Sequence, residues 1–383
     1  MDRRQFVAGA AAFVGGMSRA APQAFADSYV DGRTGHRVWV LARGSASGLY
    51  FHQNPFTASG EKMVYRAPTP EGAQAFVFDF RTQTSCQLTR EPGGTGSEIV
   101  GARTRRLYYR AGLAIKSVHL DTLDVRHLCD LPGDLSAYPY ALSPDERTLA
   151  SGYVEGGEEI AKLPRGEMFV RMFDAKLRNV IYTIDIETGR YQEIYEENTW
   201  LGHFQYSPAG PNTLMFCHEG PWERLDRIWL LDVAKRESRL VYRRRREGEI
   251  AGHEFWHPDG RRVWFDLRHR ADREFALANV NLATGELTAY PLKPEEWSVH
   301  YNIEPRGRWL CGDGGEEGPW IYLFTPQGDG TVKVTRLCSL GGHSYPRREP
   351  NVHVTPDRKW VVFTTNMAGE TQVRAVSVSA EEG

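Results

Sequence analysis

The stretch "WHPDGRRVWF" at residues 256–265 combines a tight turn with the start of a strand. Its Pro-Asp-Gly sequence is typical of a turn, and the aromatic and β-branched residues after it are typical of a strand. The same pattern occurs six more times, as "FTASGEKMVY" (56–65), "GARTRRLYY" (101–109), "LSPDERTLA" (142–150), "YSPAGPNTLMF" (206–216), "IEPRGRWLC" (303–311) and "VTPDRKWVVF" (354–363). With the proline or its equivalent as marker, the seven copies stand at positions 58, 102, 144, 208, 258, 305 and 356. Four-strand units at this spacing predict an all-β fold, a seven-bladed β-propeller.

The repeat leaves no remainder for a second domain, so residues 27–383 are predicted to form one propeller domain. The longest interval between markers contains an insertion at residues 155–176. Segments such as "VIYTIDIETGRYQEIY" (180–195) suit the outer two strands of a blade. The early strand "HRVWVLA" (36–42) is expected to join the last blade and close the ring.

Residues 1–26 have the features of an export signal rather than of the fold. Paired arginines, Arg3-Arg4, precede a short apolar run at 7–17 and a small-residue end at 24–26. This pattern is of the twin-arginine type, and the apolar run is too short to span a membrane. An ordinary secretory signal with a chance arginine pair would also predict export. We therefore expect a mature chain that begins near Asp27 and is periplasmic or secreted.

The composition excludes some classes of partner. A formal charge of −2 gives no overall attraction to nucleic acid or to a membrane surface, and it leaves the oligomeric state open. The basic run "RRRRE" at 243–247 is interpreted as a solvated turn between strands. The odd cysteine count, without a CxxC pair, favours buried free thiols in strands, although one or two disulfides would suit an oxidising compartment.

The segment "HEFWH" at 253–257 matches the H-E-x-x-H pattern of zinc proteases. That pattern needs a helix, where both histidines share one face, and here the Pro-Asp-Gly turn follows at once. In a strand His253 and His257 would be about 13 Å apart, at roughly 3.3 Å per residue, which is too far for one ion. The protease interpretation is excluded, and His253 needs another role.

The histidines recur at one position of the repeat. The residues five places before the markers are Gln53, Ser97, Pro139, His203, His253, His300 and Asn351. A single histidine is usually explained by packing, but three in register favour a shared site at the channel. Alternation along the last inner strand also places Glu349, Asn351 and His353 on one side. Histidine with Glu and Asn can bind a metal such as Mn²⁺ or Zn²⁺.

The segment "CHEGPWERLDRIW" (217–229) adds charged candidates after the inner strands of the fourth repeat. Arg227 and Arg224 are suited to bind a carboxylate because the guanidinium matches both oxygens. A structural pair of Arg227 with Asp226 or with a glutamate, linking two blades, is an equally open interpretation.

Several long segments resemble the oligogalacturonate lyase family in order and spacing, over nearly the whole mature length. They are "LYFHQNPFTASG" (49–60), "NTWLGHFQYSP" (198–208), "FCHEGPWERLDRIWLLD" (216–232), "GHEFWHPDG" (252–260), "VHYNIEPRGRWLCGDG" (299–314) and "EPNVHVTPDRKWVVFTTN" (349–366). The resemblance implies a seven-bladed propeller with a Mn²⁺-type site that cleaves oligogalacturonates by β-elimination. It matches His253 to the family's Brønsted base, Arg227 to its substrate-carboxylate arginine and His300 to a metal ligand.

The last blade departs from the family pattern. Glu349 and Asn351 stand where the family has two metal-binding histidines, and Pro346 stands where it has a glutamine ligand. We therefore expect a metal site rebuilt from His300, Glu349, Asn351 and either His343 or His353, or else a site that is altered or lost. The export signal is a second departure, since well-known members look cytoplasmic.

β-Elimination removes the C5 proton of a uronate and expels the O4 substituent. A cation that neutralises the carboxylate stabilises the developing enolate, and a neutral histidine with a pKa of about 6.5 can take the proton. We expect His203, His218, Arg224, Gln53 and Tyr301 to contact the oligouronide. Candidates for protonating the leaving oxygen are Tyr301, Tyr345 and water.

Two other functions stay open: a lyase for another uronate-containing glycan, and a non-catalytic propeller that binds glycans or proteins. The changed residues of the last blade favour the first of these two. A peptidase or esterase is not expected, because the chain has no G-x-S-x-G motif and no spare segment for a hydrolase.

Overall fold

The computed structural model describes residues 23–24, 27–133 and 139–380, and this part of the chain forms seven antiparallel sheets. The sheets are the blades of a propeller, so the predicted seven-bladed fold is confirmed. Each predicted turn marker lies between the inner strand of a blade and the strand beside it.

The strands of the first half, in chain order, are β1 (Gln23–Ala24), β2 (Ser28–Val30), β3 (His36–Ala42), β4 (Lys62–Thr69), β5 (Gly72–Asp79), β6 (Thr84–Gln87), β7 (Gly96–Gly101), β8 (Arg106–Ala111), β9 (Ala114–His119), β10 (Val125–Asp130), β11 (Ala141–Leu142), β12 (Thr148–Val154), β13 (Asn179–Asp185) and β14 (Tyr191–Glu197). Blade 1 contains β4, β5, β6 and, at its outer edge, β1. Blades 2 and 3 contain β7–β10 and β11–β14.

The strands of the second half are β15 (Leu201–Tyr206), β16 (Thr213–His218), β17 (Ile228–Asp232), β18 (Glu237–Leu240), β19 (Glu249–Trp256), β20 (Arg262–His269), β21 (Glu274–Asn281), β22 (Leu287–Leu292), β23 (Tyr301–Ile303), β24 (Leu310–Gly312), β25 (Trp320–Pro326), β26 (Val332–Ser339), β27 (His353–Val354), β28 (Trp360–Thr365) and β29 (Gln372–Ala380). They form blades 4, 5 and 6 as β15–β18, β19–β22 and β23–β26. Blade 7 contains β27, β28 and β29, followed by β3 and β2.

Blade 7 closes the ring, because it combines strands from both ends of the described chain. Strand β29 pairs with β3 in antiparallel register, with Ala375 opposite Trp39 and Val376 opposite Val38. The expected role of residues 36–42 is confirmed. The predicted leader, residues 1–26, lies outside the described residues except for Gln23–Ala24, which pair with β6.

Apolar side chains fill the space between neighbouring blades. Between blades 3 and 4, Ile181, Leu214 and Phe216 are fully buried against Phe204. Burial of one such side chain stabilises a fold by roughly 1.5–3 kcal/mol. Gly152 is needed here, because a Cβ atom at this position would lie 2.5 Å from Cζ of Phe204. These contacts hold the inner strands at fixed positions around the channel.

The predicted insertion in blade 3 forms two helices, α1 (Glu158–Ala161) and α2 (Arg165–Asp174), between β12 and β13. Helix α2 contacts the segment that follows β16, where a 3-10 turn spans Trp222–Arg224. The ring of Phe169 lies 6.5 Å from that of Trp222. A second 3-10 turn, Pro294–Glu296, connects β22 to blade 6. The insertion therefore lies close to the segments that carry the candidate site.

All five cysteines lie in strands as free thiols, three of them buried: Cys86, Cys129, Cys217, Cys311 and Cys338. In the ranges described above, neither helix is long and apolar enough to cross a membrane.

Candidate active site

In four of the seven blades the backbone is left-handed at the position where the sequence places the histidines, and His300 is not among these four. Ser97, His203, His253 and Asn351 have φ angles of 58°, 53°, 48° and 54°. In β7, β15 and β19 the pairing register shifts around this residue, as in a β-bulge. Left-handed conformations cost non-glycine residues about 1–3 kcal/mol and are concentrated at functional sites. The shared position is therefore a local distortion that redirects one side chain per strand.

A segment at residues 50–53 crosses the channel between these strands. The Tyr50 ring lies 5.5 Å from the His203 ring and 5.4 Å from the His300 ring, and Phe51 stacks on His300 at 4.7 Å. The His353 Nε2 lies 3.1 Å from the Tyr50 carbonyl and 3.0 Å from the Gln53 carbonyl, so it donates its proton to the backbone. The structure thus places His353 as a support of this segment.

His253 is held by a carboxylate from the neighbouring strand. Its Nδ1 lies 2.9 Å from Oδ1 of Asp266, which fixes the proton on Nδ1 and leaves Nε2 as the basic nitrogen. Burial lowers the pKa of His253 below its ordinary value, against the opposing effect of Asp266. Burial raises the pKa of Asp266, but Arg268 and His253 outweigh this effect and bring it to about 2. The pair is a neutral imidazole oriented by an ionised carboxylate.

Gly252 makes this pairing possible. It stands opposite Asp266 in the ladder between β19 and β20. A Cβ atom at Gly252 would lie 2.9 Å from Oδ1 of Asp266, which is closer than Cβ atoms approach other heavy atoms. The absence of a side chain lets the carboxylate reach His253.

His300 has the same arrangement in blade 6 and is fully buried. Its Nδ1 lies 2.9 Å from Oδ2 of Asp313, and its backbone N–H donates to Oδ1 of Asp313 at 2.8 Å. Burial opposes a charge on His300, yet Asp313 and then Glu349 raise its pKa above the ordinary value. The His300 Nε2 is buried, makes no hydrogen bond and lies 3.8 Å from Oε2 of Glu349. A carboxylate on Nδ1 and an unpartnered Nε2 are typical of a metal-binding histidine.

Glu349 lies near the His300 Nε2, and Asn351 lies beside Asp313. Glu349 is partly exposed and faces Nη1 of Arg165, in helix α2, at 3.7 Å. The Asn351 backbone N–H donates to Asp313, and its Oδ1 accepts the Phe51 backbone N–H at 3.1 Å. The Glu349 carboxylate is therefore the freer of the two oxygen donors.

Arg227 lies in a buried ion-pair network. Its Nη2 is 2.9 Å from Oε1 of Glu219, and its Nε is 2.9 Å from Oε2 of Glu254. The same two carboxylates flank His203, at 3.2 Å and 3.6 Å. The guanidinium stacks on Trp222, whose Nε1 donates to Glu219. Arg227 was interpreted either as an arginine that binds a substrate carboxylate or as a structural ion pair. The structure shows it paired with Glu219 and Glu254.

Among the described residues, one group of potential metal ligands has its donor atoms within 4.8 Å of one another, namely His203, Cys217 and Glu219. Arg227 already supplies a positive charge to Glu219, and burial raises the pKa of the Cys217 thiol well above its ordinary value. A protonated thiol and a paired carboxylate are poor metal ligands. His300 with Glu349 is the better candidate.

Two other predicted site residues, Tyr301 and Arg224, lie away from His253 and His300. Tyr301 is a core residue with no exposed surface, and its hydroxyl accepts the Ser298 backbone N–H. Arg224 is exposed and faces Asp174 of α2 at 3.9 Å. The structure therefore does not bring Tyr301 or Arg224 to His253.

Of three more predicted residues, two are engaged by the protein itself. His218 stacks on Trp229, and its Nε2 lies 2.8 Å from Glu197. His343 contacts the Arg348 carbonyl at 2.7 Å through Nε2. Gln53 is buried beside Tyr50, and its Nε2 has no hydrogen-bond partner.

A cavity of about 920 Å³ borders the residues that surround His253 and His300, although neither histidine is among its lining residues. Its lining includes Tyr50, Gln53, Trp297, Glu349 and Asn351. Seven arginines contribute to it, against four glutamates: Arg66, Arg165, Arg268, Arg270, Arg273, Arg347 and Arg348. An excess of positive charge in a cavity of a chain whose net charge is −2 is suited to an anionic ligand.

Sequence reasoning missed Asp266, Asp313, Tyr50 and Arg268. Asp266 and Asp313 each lie 13 residues after the histidine that they orient. This equal spacing is the signal that was present in the sequence.

Known proteins resemble this chain over most of its length. The family model for oligogalacturonate lyase matches residues 19–381. The oligogalacturonide lyase of Pectobacterium atrosepticum is 27% identical over 345 residues, which are 84% of this chain and 87% of that protein. The oligogalacturonate lyase of Dickeya dadantii is 26% identical over 344 residues, with the same coverage.

Two solved structures share the fold. An oligogalacturonate lyase in complex with manganese has a TM-score of 0.83 at 24% identity and covers 95% of this chain and 99% of its own. An oligogalacturonate lyase from Vibrio parahaemolyticus has a TM-score of 0.83 at 23% identity and covers 94% and 99%. Because the family model spans nearly the whole chain, the protein belongs to the oligogalacturonate lyase family.

Proposed function

We propose that this protein cleaves short oligogalacturonates by β-elimination and leaves an unsaturated uronate at the new chain end. The observation that carries the proposal is the His253–Asp266 pair beside a cavity with an excess of arginine over glutamate. A base that is neutral at pH 7 and a site that attracts carboxylates are the two requirements of this reaction. The names of the relatives support the same substrate class.

His253 is the proposed base. Asp266 holds the imidazole with its proton on Nδ1, so Nε2 accepts the C5 proton of the uronate. The imidazolium that forms is then stabilised by the same carboxylate. Burial lowers the pKa of His253, which favours the unprotonated form that a base requires.

His300 and Glu349 would hold the divalent metal, since the buried His300 Nε2 has no other partner and faces the Glu349 carboxylate. These N and O donors suit Mn²⁺, the metal in the complex of the solved relative. When bound, the metal supplies positive charge that neutralises the uronate carboxylate and the developing enolate. Asp313 fixes the His300 ring. Asn351 donates its backbone N–H to Asp313 and accepts the Phe51 backbone N–H, so it holds both Asp313 and the segment at residues 50–53.

The leaving oxygen takes its proton from water in this proposal. Tyr301 is enclosed in the core, and the Tyr345 hydroxyl already donates to the Asp313 carbonyl at 2.8 Å. The cavity of about 920 Å³ leaves room for water beside a bound ligand. The twin-arginine pattern of residues 1–26 supports a periplasmic or secreted place for this activity.

The experiment is an ultraviolet absorbance assay of purified protein on tri-galacturonate, with added Mn²⁺ or with chelator. We expect absorbance to rise with Mn²⁺ and to stay flat with chelator. No rise with Mn²⁺ would contradict the oligogalacturonate proposal.

A lyase for another uronate glycan is the second candidate, favoured by Glu349 and Asn351, which depart from the family pattern. The same assay on other uronate-containing glycans tests it. Binding without turnover on all of them would identify a glycan-binding propeller.

A further inference from the structure

We infer that Arg268 binds the carboxylate of the uronate from which the proton is removed, while Arg227 positions the buried glutamates and His203. This role rests on the proposed lyase function. It separates two arginines that the sequence alone does not distinguish.

Arg268 is buried at the cavity with its hydrogen-bonding capacity unused. Its side chain is 2% exposed, yet it contributes to the cavity wall. The Nε is buried without a hydrogen-bond partner, and among the residues described no hydrogen bond reaches its terminal nitrogens. Its single ion pair is with Asp266, at 3.4 Å. Buried donors of a guanidinium are rarely left unpaired, so the arrangement points to a ligand.

Two tryptophans fix the plane of this guanidinium. Its central carbon lies 4.6 Å from the Trp297 ring and 5.6 Å from the Trp222 ring. Stacking on an aromatic face holds arginine in one orientation and leaves the edge with the N–H donors free. Burial lowers the pKa of Arg268, against the effect of Asp266, so a second anion would favour its charged form.

Arg227 is held by the protein and lies away from the cavity. Glutamate oxygens lie 2.9 Å from its Nε and from its Nη2, and its Nη1 is buried without a hydrogen-bond partner. Because Arg268 lines the cavity and Arg227 does not, a ligand in the cavity meets Arg268 first.

The position of Arg268 relative to the base also suits the reaction. Asp266 contacts His253 through Oδ1 and Arg268 through Oδ2, so one carboxylate sets the spacing of base and arginine. In a uronate the acidic C5 is bonded directly to the carboxylate carbon. A carboxylate held by the Arg268 fork therefore brings C5 towards His253.

The test compares the binding of tri-galacturonate with that of its methyl ester, which lacks the charge. Dissociation constants are measured by calorimetry in a His253→Ala background that stops turnover, for Arg268→Gln, Arg268→Lys and the control Arg273→Gln. Arg273 also lines the cavity but is exposed and paired with Glu317 at 2.6 Å. This cycle isolates the coupling between the arginine and the carboxylate.

We expect Arg268→Gln to weaken binding of the acid about 100-fold and to change binding of the ester little. Arg268→Lys should lose about 10-fold, because it retains the charge and loses the fork. Arg273→Gln should keep the preference for the acid. If a folded Arg268 variant has the same ratio of acid to ester dissociation constants as the His253→Ala parent, the inference is wrong. Thermal unfolding shows whether each variant folds. If Arg268→Gln does not fold, Arg268→Lys decides.

The absorbance assay on the wild-type protein is read separately. No turnover by the wild type would overturn the proposed lyase function, whereas an unchanged acid-to-ester ratio in the variants would overturn the role of Arg268 in an active lyase.

Discussion

Arg227 and Glu254 form an ion pair in which neither side chain reaches solvent, with Nε 2.9 Å from Oε2 and exposures of 1% and 0%. Glu254 is the glutamate of the "HEFWH" segment. In a zinc protease that glutamate would be a general base, whereas here it joins blade 5 to the segment between β16 and β17 of blade 4. The second histidine, His257, lies in the turn beyond β19 and contacts the Gly307 carbonyl.

Replacement of Arg227 by Met is expected to destabilise the fold. Two buried carboxylates, Glu219 and Glu254, would be left without their cation, at a cost of about 3–5 kcal/mol in the free energy of unfolding. Urea denaturation measures this change. Arg224→Met in the same segment removes an exposed arginine and should leave the midpoint nearly unchanged. Equal midpoints for the two variants would contradict the structural role of Arg227.

The same network predicts acid sensitivity. Burial raises the pKa of Glu219, but Arg227 and His203 outweigh it and hold the pKa well below its ordinary value. A depressed folded-state pKa contributes stability that is present above the unfolded value of about 4.3 and is lost as the pH falls below it. Urea midpoints should therefore decline more steeply below about pH 4.3 in the wild type than in Glu219→Gln. Parallel curves would show that Glu219 is not the linked group.

Asp266→Asn should lower kcat/KM on oligogalacturonates by about 10²–10⁴-fold, because the amide no longer fixes the His253 tautomer. Asp266 raises the pKa of His253, so its loss should move the acidic limb of the pH profile to lower pH. Asp259→Asn, in the exposed turn of the same blade, is the control. A profile that keeps both its height and its acidic limb would exclude Asp266 from this role.

Gly252→Ala should reduce activity by displacing Asp266, since the new Cβ would lie 2.9 Å from its Oδ1. Gly96 precedes Ser97 at the equivalent position of blade 2, and nothing lies within 4 Å of a Cβ atom there. Gly96→Ala is therefore a matched control that should keep full activity. Steady-state kinetics and thermal unfolding of both variants decide whether the loss at Gly252 is local.

Asp313→Asn should weaken Mn²⁺ binding by about 10–100-fold, because Asp313 orients the His300 ring. Electron paramagnetic resonance of free Mn²⁺ during a titration measures the affinity without any turnover. Asp329→Asn, in an exposed turn of the same blade, should bind as the wild type does. Equal affinities for all three proteins would remove His300 from the metal site.

The repeat made much of the fold predictable. Turn markers such as Pro258 and Pro356 recur in the turns of the hairpins, and the strand at 36–42 had no partner except in the last blade. The position of His253 in the repeat was likewise readable, because His203, His253 and His300 each stand five residues before their marker.

The partners of the histidines were not readable from alternation. Asp266 belongs to the second strand of blade 5, and Asp313 follows the second strand of blade 6. The bulge at His253 shifts the strand register, so regular alternation does not identify Asp266 as its partner. The face of the sheet on which the Tyr301 and His218 side chains lie also depends on the register of their own strand pairs. Arg268 packs against Trp222 and Trp297. These two residues lie far apart in the sequence, and only the closed ring brings them together.

The four left-handed residues of the inner strands have one further consequence. Serine, histidine, histidine and asparagine occupy the same backbone shape at 97, 203, 253 and 351, so the shape does not depend on the side chain that it presents. Asparagine tolerates this conformation better than most residues do. These four blades thus present serine, histidine or asparagine from the same left-handed position. A substitution there should change the chemistry at the channel and leave the strand in place.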